Sequence, residues 1–524
     1  MNTTLKAHRV EGILSSCYLP FILFFLALLA AYLPTFTFEY MFGDDYNEFY
    51  AGGSLTWMMA HTGRPLRYLI TQFTASIFRA SPEIISLSNC VFLFRSIVLG
   101  LVVTLSTAFY FYFTRSGISK YYSFVLSLIL FTTPAFIIKS SFFIYAVQYI
   151  ALILVLVGFY FGFYRPKIKG DSPINGAVLA TICYALSLSI YQAMIFYVGA
   201  LFILFLLYFK ATNVSAYRIH IFSFGVQVIC AYLIYELATV LVLQFYGLEK
   251  IGRYADGFHS LFAKSTLLFS TDFSINFAYW VYAEGWMEGW AIFVIFLVIF
   301  MAIHRICEKR KRLRSKEVME KVAYIAGFLS FASLSYLVQP RINYSQTGPA
   351  MCTTLIIFIY AINHFWNRFI AKHIPVGGEF LKPALALFVA VICLISANAA
   401  VSSIAFQGAL ELAFIKAELA RHENKEITKI VQVVPFLKKW RTPELCKNTP
   451  CKGEFSWKMT SLVDGAIRQL EFVRNLLCGQ DEICSERPLK IMRVLMPPAK
   501  VEANTAIVDM RPLYDMYKRV AEEH

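Results

Sequence analysis

Two adjacent carboxylates, Asp44 and Asp45, follow directly after the first long apolar segment of the chain. A carboxylate at the boundary between membrane and water is suited to act as a general base, because it can take the proton of a hydroxyl group while a new bond forms. Asp45 is also suited to cap a helix, with Glu48 three residues later completing a capping box. The two roles are compatible, since one aspartate can cap while the other acts as the base.

Basic residues predicted on the same side of the membrane as Asp44 are candidates to bind a phosphate group. They are Arg64, Arg67, Lys139 and Arg341. Arg offers phosphate a planar fork of N–H donors, whereas Lys offers a point charge. Anchoring to anionic lipid headgroups is the alternative role. Arg341 lies in a short polar turn between two apolar segments, so we favour it over Arg67 and predict Arg64, Lys139 and Arg341 as phosphate ligands.

A second acidic pair, Glu284 and Glu288, stands four residues apart and therefore shares one face of a predicted helix. The pair could bind the hydroxyl groups of a sugar or supply a further carboxylate. Trp286 and Trp290 would give sugar rings flat surfaces on which to stack. An interfacial aromatic belt with solvated acids is the alternative interpretation.

The composition is that of a membrane protein, so we expect membrane-spanning helices to position these residues. The chain has 524 residues, of which 58% are hydrophobic and 15% are charged, against about 25% charged residues in a soluble domain. Its formal net charge is +15. An excess of Lys and Arg in a membrane protein usually lies in cytosolic loops, so the charge does not indicate a nucleic-acid partner.

The hydropathy pattern predicts an all-α polytopic membrane protein. We expect about 11 transmembrane helices, near 13–36, 86–113, 121–138, 142–164, 175–192, 194–209, 221–246, 286–304, 321–338, 347–364 and 383–402. The first segment is too long for an ordinary signal peptide, which favours an uncleaved anchor over a cleaved leader.

Every second loop between these segments is basic, most densely between 305 and 316. Under the positive-inside rule those loops and the N-terminus are cytosolic, and Asp44, Asp45 and the C-terminal tail lie outside. The prediction depends on a turn at Tyr191-Gln192. If 175–209 formed one helix, the tail would change sides.

Residues 1–402 therefore form the predicted membrane domain, with outer loops 37–85 and 247–285, and residues 403–524 form a small α/β domain outside. In the latter we expect strands at 427–434, 491–496 and 506–510, and helices at 404–422, 461–478 and 511–521. Its four cysteines indicate disulfides in an oxidising compartment, with a zinc site as the alternative: Cys446, Cys451, Cys478 and Cys484.

Two charged residues, Arg95 and Glu236, fall inside predicted spans at similar depth. Charge inside a membrane is costly, and such residues usually pair or face a cavity. We therefore predict that Arg95 and Glu236 form a structural clamp.

Three short motifs give the chain a family resemblance. Gly43-Asp44-Asp45-Tyr46 directly after an N-terminal span, then Gly63-Arg64-Pro65-Leu66, then Ser189-Ile190-Tyr191-Gln192 resemble the Gtr-type serotype-converting glucosyltransferases. These are integral membrane enzymes of the GT-C class that modify bacterial O-antigen. The resemblance covers about the first 210 residues by motif and the rest by layout.

The resemblance implies transfer of a hexose, with glucose favoured, from an undecaprenyl-phosphate donor to O-antigen or another polysaccharide at the periplasmic face of the inner membrane. It implies Asp44 or Asp45 as the base, Tyr191 and Gln192 as substrate contacts, and no metal or other cofactor. A lipid-linked glycan transporter or flippase, and a polysaccharide polymerase or ligase, are the alternative functions. The absence of an internal repeat speaks against a transporter.

Overall fold

The computed structural model describes a mostly helical protein. The residues that it describes are 18–38, 63–79, 87–132, 136, 140, 146–164, 173–208, 214–249, 320, 323–328, 330–332, 349, 352–353, 356, 360, 378–422, 427–433, 490–494, 497–498, 500–513 and 515.

The helices follow the apolar segments of the sequence. They are α1 (Tyr18–Thr37), α2 (Pro65–Arg79), α3 (Leu87–Arg115), α4 (Lys120–Phe131), α5 (Ala146–Phe159, continued by a π-helical turn Tyr160–Tyr164), α6 (Pro173–Ile190), α7 (Tyr197–Tyr208, preceded by a 3-10 turn Gln192–Phe196), α8 (Val214–Phe245) and α9 (Gly378–Ala420). Three strands follow: β1 (Lys429–Val433), β2 (Lys490–Val494) and β3 (Thr505–Asp509).

Within the described part of the chain, four helices are long and apolar enough to cross a membrane: Tyr18–Thr37, Phe92–Arg115, Ala146–Tyr164 and Arg218–Phe245. Four shorter apolar helices accompany them: Lys120–Phe131, Ile174–Ile190, Gln192–Leu207 and Ala323–Ala332. The membrane character predicted from composition is thus supported, whereas the number of about 11 spans stays a prediction.

Successive helices of the bundle run in alternating directions. Two contacts at different heights fix the relative direction of each helix pair. Two pairs are antiparallel: α1 and α3 (Phe36 with Phe92, Phe24 with Tyr110) and α5 and α6 (Ala151 with Ser187, Phe161 with Gly176). Four pairs are parallel: α1 and α4 (Tyr32 with Phe131, Phe24 with Phe124), α3 and α5 (Tyr112 with Phe159, Ser116 with Tyr164), α5 and α7 (Phe159 with Phe202, Tyr164 with Phe205), and α6 and α8 (Tyr184 with Phe224, Gln192 with Tyr235). The C-terminal ends of α1, α4, α6 and α8 therefore lie at one end of the bundle.

The chain turns at Tyr191, as the alternation of basic loops predicted. Helix α6 ends at Ile190, and Tyr191 is extended, with φ −157° and ψ 104°. A single 3-10 turn follows before α7 runs back antiparallel to α6. The alternative of one continuous helix across this segment is therefore wrong.

Tyrosine hydroxyl groups on neighbouring helices donate hydrogen bonds to backbone carbonyl oxygens at the end of α4 and just beyond it. Tyr32 on α1 donates to the carbonyl oxygen of Phe131 at 2.8 Å, and Tyr149 on α5 donates to that of Phe136 at 3.2 Å. A backbone carbonyl left unpaired within a membrane costs several kcal/mol. The two hydroxyls thus give hydrogen-bond donors to the carbonyl oxygens of Phe131 and Phe136.

Arg95 is held at the C-terminal end of α1. Its guanidinium donates to the carbonyl oxygens of Thr35 and Phe38, which are among the groups that the end of a helix leaves without intrahelical partners. Glu236 instead accepts a hydrogen bond from Tyr232 at 2.9 Å. Neither contact joins Arg95 to Glu236, so the structure shows a capping role for Arg95 where we predicted a clamp.

Helix α9 runs parallel to α1. The amide of Asn398 donates to the carbonyl oxygen of Ala30 at 2.8 Å, and the ring of Phe406 packs edge-on against Phe38. The C-terminal end of α9 therefore lies at the same end of the bundle as that of α1. Helix α9 is continuous across the predicted domain boundary at 402, so the membrane core and the tail share one helix.

The tail forms a small parallel sheet that packs on α9 through β3. The strand order is β2-β1-β3, and Ile430 lies opposite Ile491 on one side and Ala506 on the other. All three predicted strands are confirmed, and so is the helical pattern at 404–422. The predicted helix at 461–478 lies in a part of the chain that the structure does not describe.

Candidate functional site

The site is organised around the backbone break at Gly63-Arg64-Pro65. Pro65 is the first residue of α2, where its missing N–H and fixed φ suit the start of a helix. Gly63 has φ +57°, a left-handed conformation that costs other residues about 1–2 kcal/mol. Helix α2, which follows the break, packs on α6 and α8.

Gln192 ties this break to the turn between α6 and α7. Its carbonyl oxygen accepts from Nε of Arg64 at 3.0 Å. Its amide nitrogen donates to the carbonyl oxygen of Gly63 at 3.2 Å and to the hydroxyl of Tyr235 at 2.9 Å. One side chain thus connects α2, α7 and α8.

Tyr235 completes the network and was not predicted from the sequence. Its hydroxyl donates to the carbonyl oxygen of Gly63 at 2.8 Å, and the ring is 5% exposed. A tyrosine in an apolar helix gives no signal by itself. The only hint in the sequence is its position beside Glu236, one of the few charged residues predicted within a membrane span.

The ring of Tyr191 stacks against the guanidinium group of Arg64. The guanidinium carbon of Arg64 lies 4.5 Å from the centre of the Tyr191 ring. A cation–π contact of this kind contributes about 0.5–2 kcal/mol, depending on its desolvation, and a hydrogen bond to a charged group about 1.5–3 kcal/mol. Together with Gln192, Tyr191 therefore fixes both the position and the plane of the Arg64 fork.

Helix α2 turns its polar side toward the bundle. Arg67 and Thr71 are 8% and 3% exposed, whereas Leu69 and Phe73 are 58% and 68% exposed. Helix α2 is therefore amphipathic, and the apolar residues Leu69 and Phe73 face away from the protein. The Oγ1 atom of Thr71 is buried and has no hydrogen-bond partner among the described residues. The buried side of α2 thus includes one arginine, Arg67, and the half-buried Arg64 directly precedes the helix.

The structure brings Arg64, Tyr191 and Gln192 into direct contact, although sequence reasoning assigned Arg64 to a phosphate and the other two to substrate. The remaining predicted residues lie where the structure describes nothing, and their roles stay predictions: Asp44, Asp45, Lys139, Glu284, Trp286, Glu288, Arg341, Cys446, Cys451, Cys478 and Cys484. Within the ranges that are described, no three His, Cys, Asp or Glu side chains are grouped so as to hold a metal ion.

A Gly63→Ala substitution is expected to lower the thermal stability of the protein. An alanine Cβ would lie 2.7 Å from the Tyr235 hydroxyl oxygen, in addition to the backbone cost of about 1–2 kcal/mol. Gly117→Ala is the matched control, because Gly117 also has positive φ, +94°, but nothing lies within 4 Å of the new Cβ. Unfolding midpoints in detergent would measure both. Equal losses would show that the Tyr235 contact contributes nothing.

Comparison with known proteins adds no assignment to this geometry. No protein-family profile matches the chain, and no curated protein sequence matches it significantly.

Proposed function

We propose that the chain is a membrane glycosyltransferase that moves a hexose, with glucose as the first candidate, from a polyprenyl-phosphate donor to a polysaccharide. The observation that carries this proposal is the contact of Arg64 with Tyr191 and Gln192. Residues from two motifs, 128 positions apart, meet at one end of an apolar bundle. They hold there a side chain suited to bind phosphate.

A phosphate fits this site better than an uncharged ligand does. The buried side of α2 carries Arg67 and Thr71, and the half-buried Arg64 directly precedes the helix, so two guanidinium groups and a hydroxyl lie within about two helical turns of sequence. Arginine forks match the oxygens of a phosphate. We assign Arg64 and Arg67 to the donor phosphate, so Arg67 joins the predicted ligands Lys139 and Arg341.

The apolar side of α2 suits a donor that remains in the membrane. Leu69 and Phe73 point away from the bundle, as the apolar face of a helix at a lipid surface does. A polyprenyl chain would stay in the lipid while its phosphate reaches the arginines.

The direction of the helices supports the same side for donor and base. The Arg64 site, the end of α1 and the sheet-bearing end of α9 all lie at one end of the bundle. The chain continues from Phe38 to Asp44 and Asp45 from that end. Because the positive-inside rule predicts the basic loops on the cytosolic side, we propose that this end is periplasmic in a bacterial inner membrane.

In the proposed reaction, the acceptor hydroxyl, the base and the phosphate ligands each have a separate role. A hydroxyl oxygen of the acceptor forms a bond to the anomeric carbon of the sugar, and the bond from that carbon to the phosphate oxygen breaks. Asp44 or Asp45 takes the hydroxyl proton, and Arg64 and Arg67 stabilise the charge on the departing polyprenyl phosphate. Tyr191 and Gln192 act by holding Arg64, while Glu284, Trp286 and Glu288 are the candidates to bind the acceptor.

The experiment supplies purified protein in nanodiscs with a synthetic polyprenyl-phosphate glucose and an O-polysaccharide acceptor. We expect glucose to appear on the acceptor and free polyprenyl phosphate to accumulate in equal amount. Transfer only from a diphosphate-linked glycan would favour a polymerase or ligase. Movement of the intact donor across proteoliposomes, with no transfer, would favour a flippase. Either of the last two results overturns the proposal.

A further inference from the structure

Glu411 is a buried carboxyl group to which the proposed reaction assigns no role. It lies on α9, is 2% exposed, and its Oε2 atom has no hydrogen-bond partner among the residues described. Burying an ionised carboxylate without a partner is very costly, so such a group stays neutral or its surroundings change. Most buried polar groups do have partners, so an exception of this kind calls for an explanation.

Glu411 lies on the stretch of α9 between the main apolar core and the helix end that leads into the sheet, a stretch that we call the seam. The buried face of α9 contributes Val401 and Ala405 to the main apolar core. Beyond them the same face continues through Leu412 and Ile415, which are buried outside that core. Phe406 packs on Phe38, just past the end of α1, and Glu411 is five residues further, or about 7.5 Å along the helix.

The sheet packs on α9 through β3. The described charged and histidine side chains beyond Glu411 on α9 and on the elements that contact α9 or form the sheet are Lys120 on α4, Lys416, Glu418, Arg421 and His422 at the end of α9, Asp509 and Arg511 at the end of β3, and Lys429, Lys490 and Glu502 at the start of the sheet. Helix α1 has no charged residue, and the tyrosines on α1 and α4 are Tyr18, Tyr32, Tyr121 and Tyr122. Three of their pairs are ion pairs: Glu418 with Arg421, Lys429 with Glu502, and Asp509 with Arg511.

We infer that Glu411 makes the packing of the β-sheet on α9 proton-dependent. With a neutral carboxyl group the sheet stays packed on α9, which we call the seated state, and Glu411 stays buried. Loss of the proton leaves an unpaired charge at the seam, which favours a state in which the sheet separates from α9 and water reaches the carboxylate. The tail would then be a pH-sensitive element attached to the membrane domain.

The direction of the pH dependence follows from burial. Burial raises the pKa of Glu411 well above its ordinary value of 4.5, and no charged neighbour contributes to that rise. Below the ordinary pKa the seated and separated states are both protonated, and the seated state is fully stable. As the pH rises from there toward the raised pKa, only the separated state ionises. The ratio of seated to separated molecules therefore falls about tenfold per pH unit. The Arg511 guanidinium lowers the pKa of Asp509, so that carboxylate stays ionised in the same window.

The test is amide hydrogen exchange of the full-length protein in nanodiscs at pH 5.5, 6.5 and 7.5, with rates corrected for the intrinsic pH dependence of exchange. We expect protection of 427–433 and 505–509 in wild type to fall between tenfold and a hundredfold over this range, since the ratio changes about tenfold per unit. Glu411→Gln and Glu411→Met both remove the titrating group. Their protection should be independent of pH and at least equal to that of wild type at pH 5.5.

Two control variants separate Glu411 from other groups. His422→Gln removes the side chain whose ordinary pKa lies in this range, and Glu502→Gln removes a carboxylate that is 65% exposed. Both should keep the pH dependence of wild type. Constant protection in wild type, or an unchanged pH dependence in Glu411→Gln and Glu411→Met, would overturn the inference. Either result can be read without any assay of sugar transfer.

Discussion

Replacing Arg64 with methionine is expected to lower kcat/KM for hexose transfer by about a hundredfold, the usual cost of removing one group that stabilises developing charge. Methionine keeps the apolar bulk of the side chain but cannot bind phosphate. Arg64→Lys keeps the charge and loses the planar fork, so an intermediate loss is expected. Initial rates with polyprenyl-phosphate glucose would measure both variants.

The matched control for Arg64 is Arg115. Arg115 also stacks on a tyrosine, with its guanidinium carbon 5.2 Å from the centre of the Tyr160 ring. It ends α3 and therefore lies at the opposite end of the bundle. Arg115→Met should transfer glucose at the wild-type rate. If both methionine variants lose activity equally, Arg64 serves only the stability of the bundle.

Tyr235→Phe tests whether the network positions Arg64. The change removes one hydrogen bond to Gly63 and one from Gln192 but no group assigned to substrate. A positioning role predicts a loss smaller than that of Arg64→Met, and no further loss when the two changes are combined. Additive losses would show that Tyr235 acts independently of Arg64.

Replacing one of the two aspartates, Asp44 or Asp45, with asparagine is expected to lower kcat by about a hundredfold or more, within the range for loss of a general base. Asparagine is a useful probe because it caps helices about as well as aspartate does. A residue that only caps therefore tolerates the change, whereas the base does not. Single-turnover rates of each variant with saturating donor would identify the base.

Alanine variants at Asp44 and Asp45 provide the complementary control. A capping aspartate loses about 1 kcal/mol of stability as alanine but not as asparagine. Thermal unfolding in detergent separates the two cases without any activity measurement. Full activity of both asparagine variants would exclude this pair as the base, and Glu284 and Glu288 would be examined next.

The sequence determined the elements because their signals are local. Apolar segments of membrane-spanning length, the basic loops between them and three short β-rich segments each reflect neighbouring residues. The predicted alternation of basic loops required a turn at Tyr191-Gln192, which the structure has. The strands at 429–433, 490–494 and 505–509 were predicted to within two residues at most of their ends, since each is a short apolar run with polar flanks.

Packing partners could not be predicted in the same way, because they depend on which helix faces which. Arg95 was expected to seek an opposite charge on Glu236, but it caps the end of α1. Carbonyl groups at a helix end attract a cation as a carboxylate does, and a sequence does not show that α3 brings Arg95 to that end.

The site shows the same division. The sequence singled out Arg64 as a basic residue on the outer side of the membrane, and the family resemblance pointed to Tyr191 and Gln192. Only the tertiary structure showed that they touch, that Tyr235 joins them, and that α2 buries Arg67. Hydropathy reports how apolar a segment is, whereas direction and rotation of each helix follow from interlocking side chains across the bundle. The chemistry that a residue can do therefore follows from its type, whereas its contacts are decided by packing.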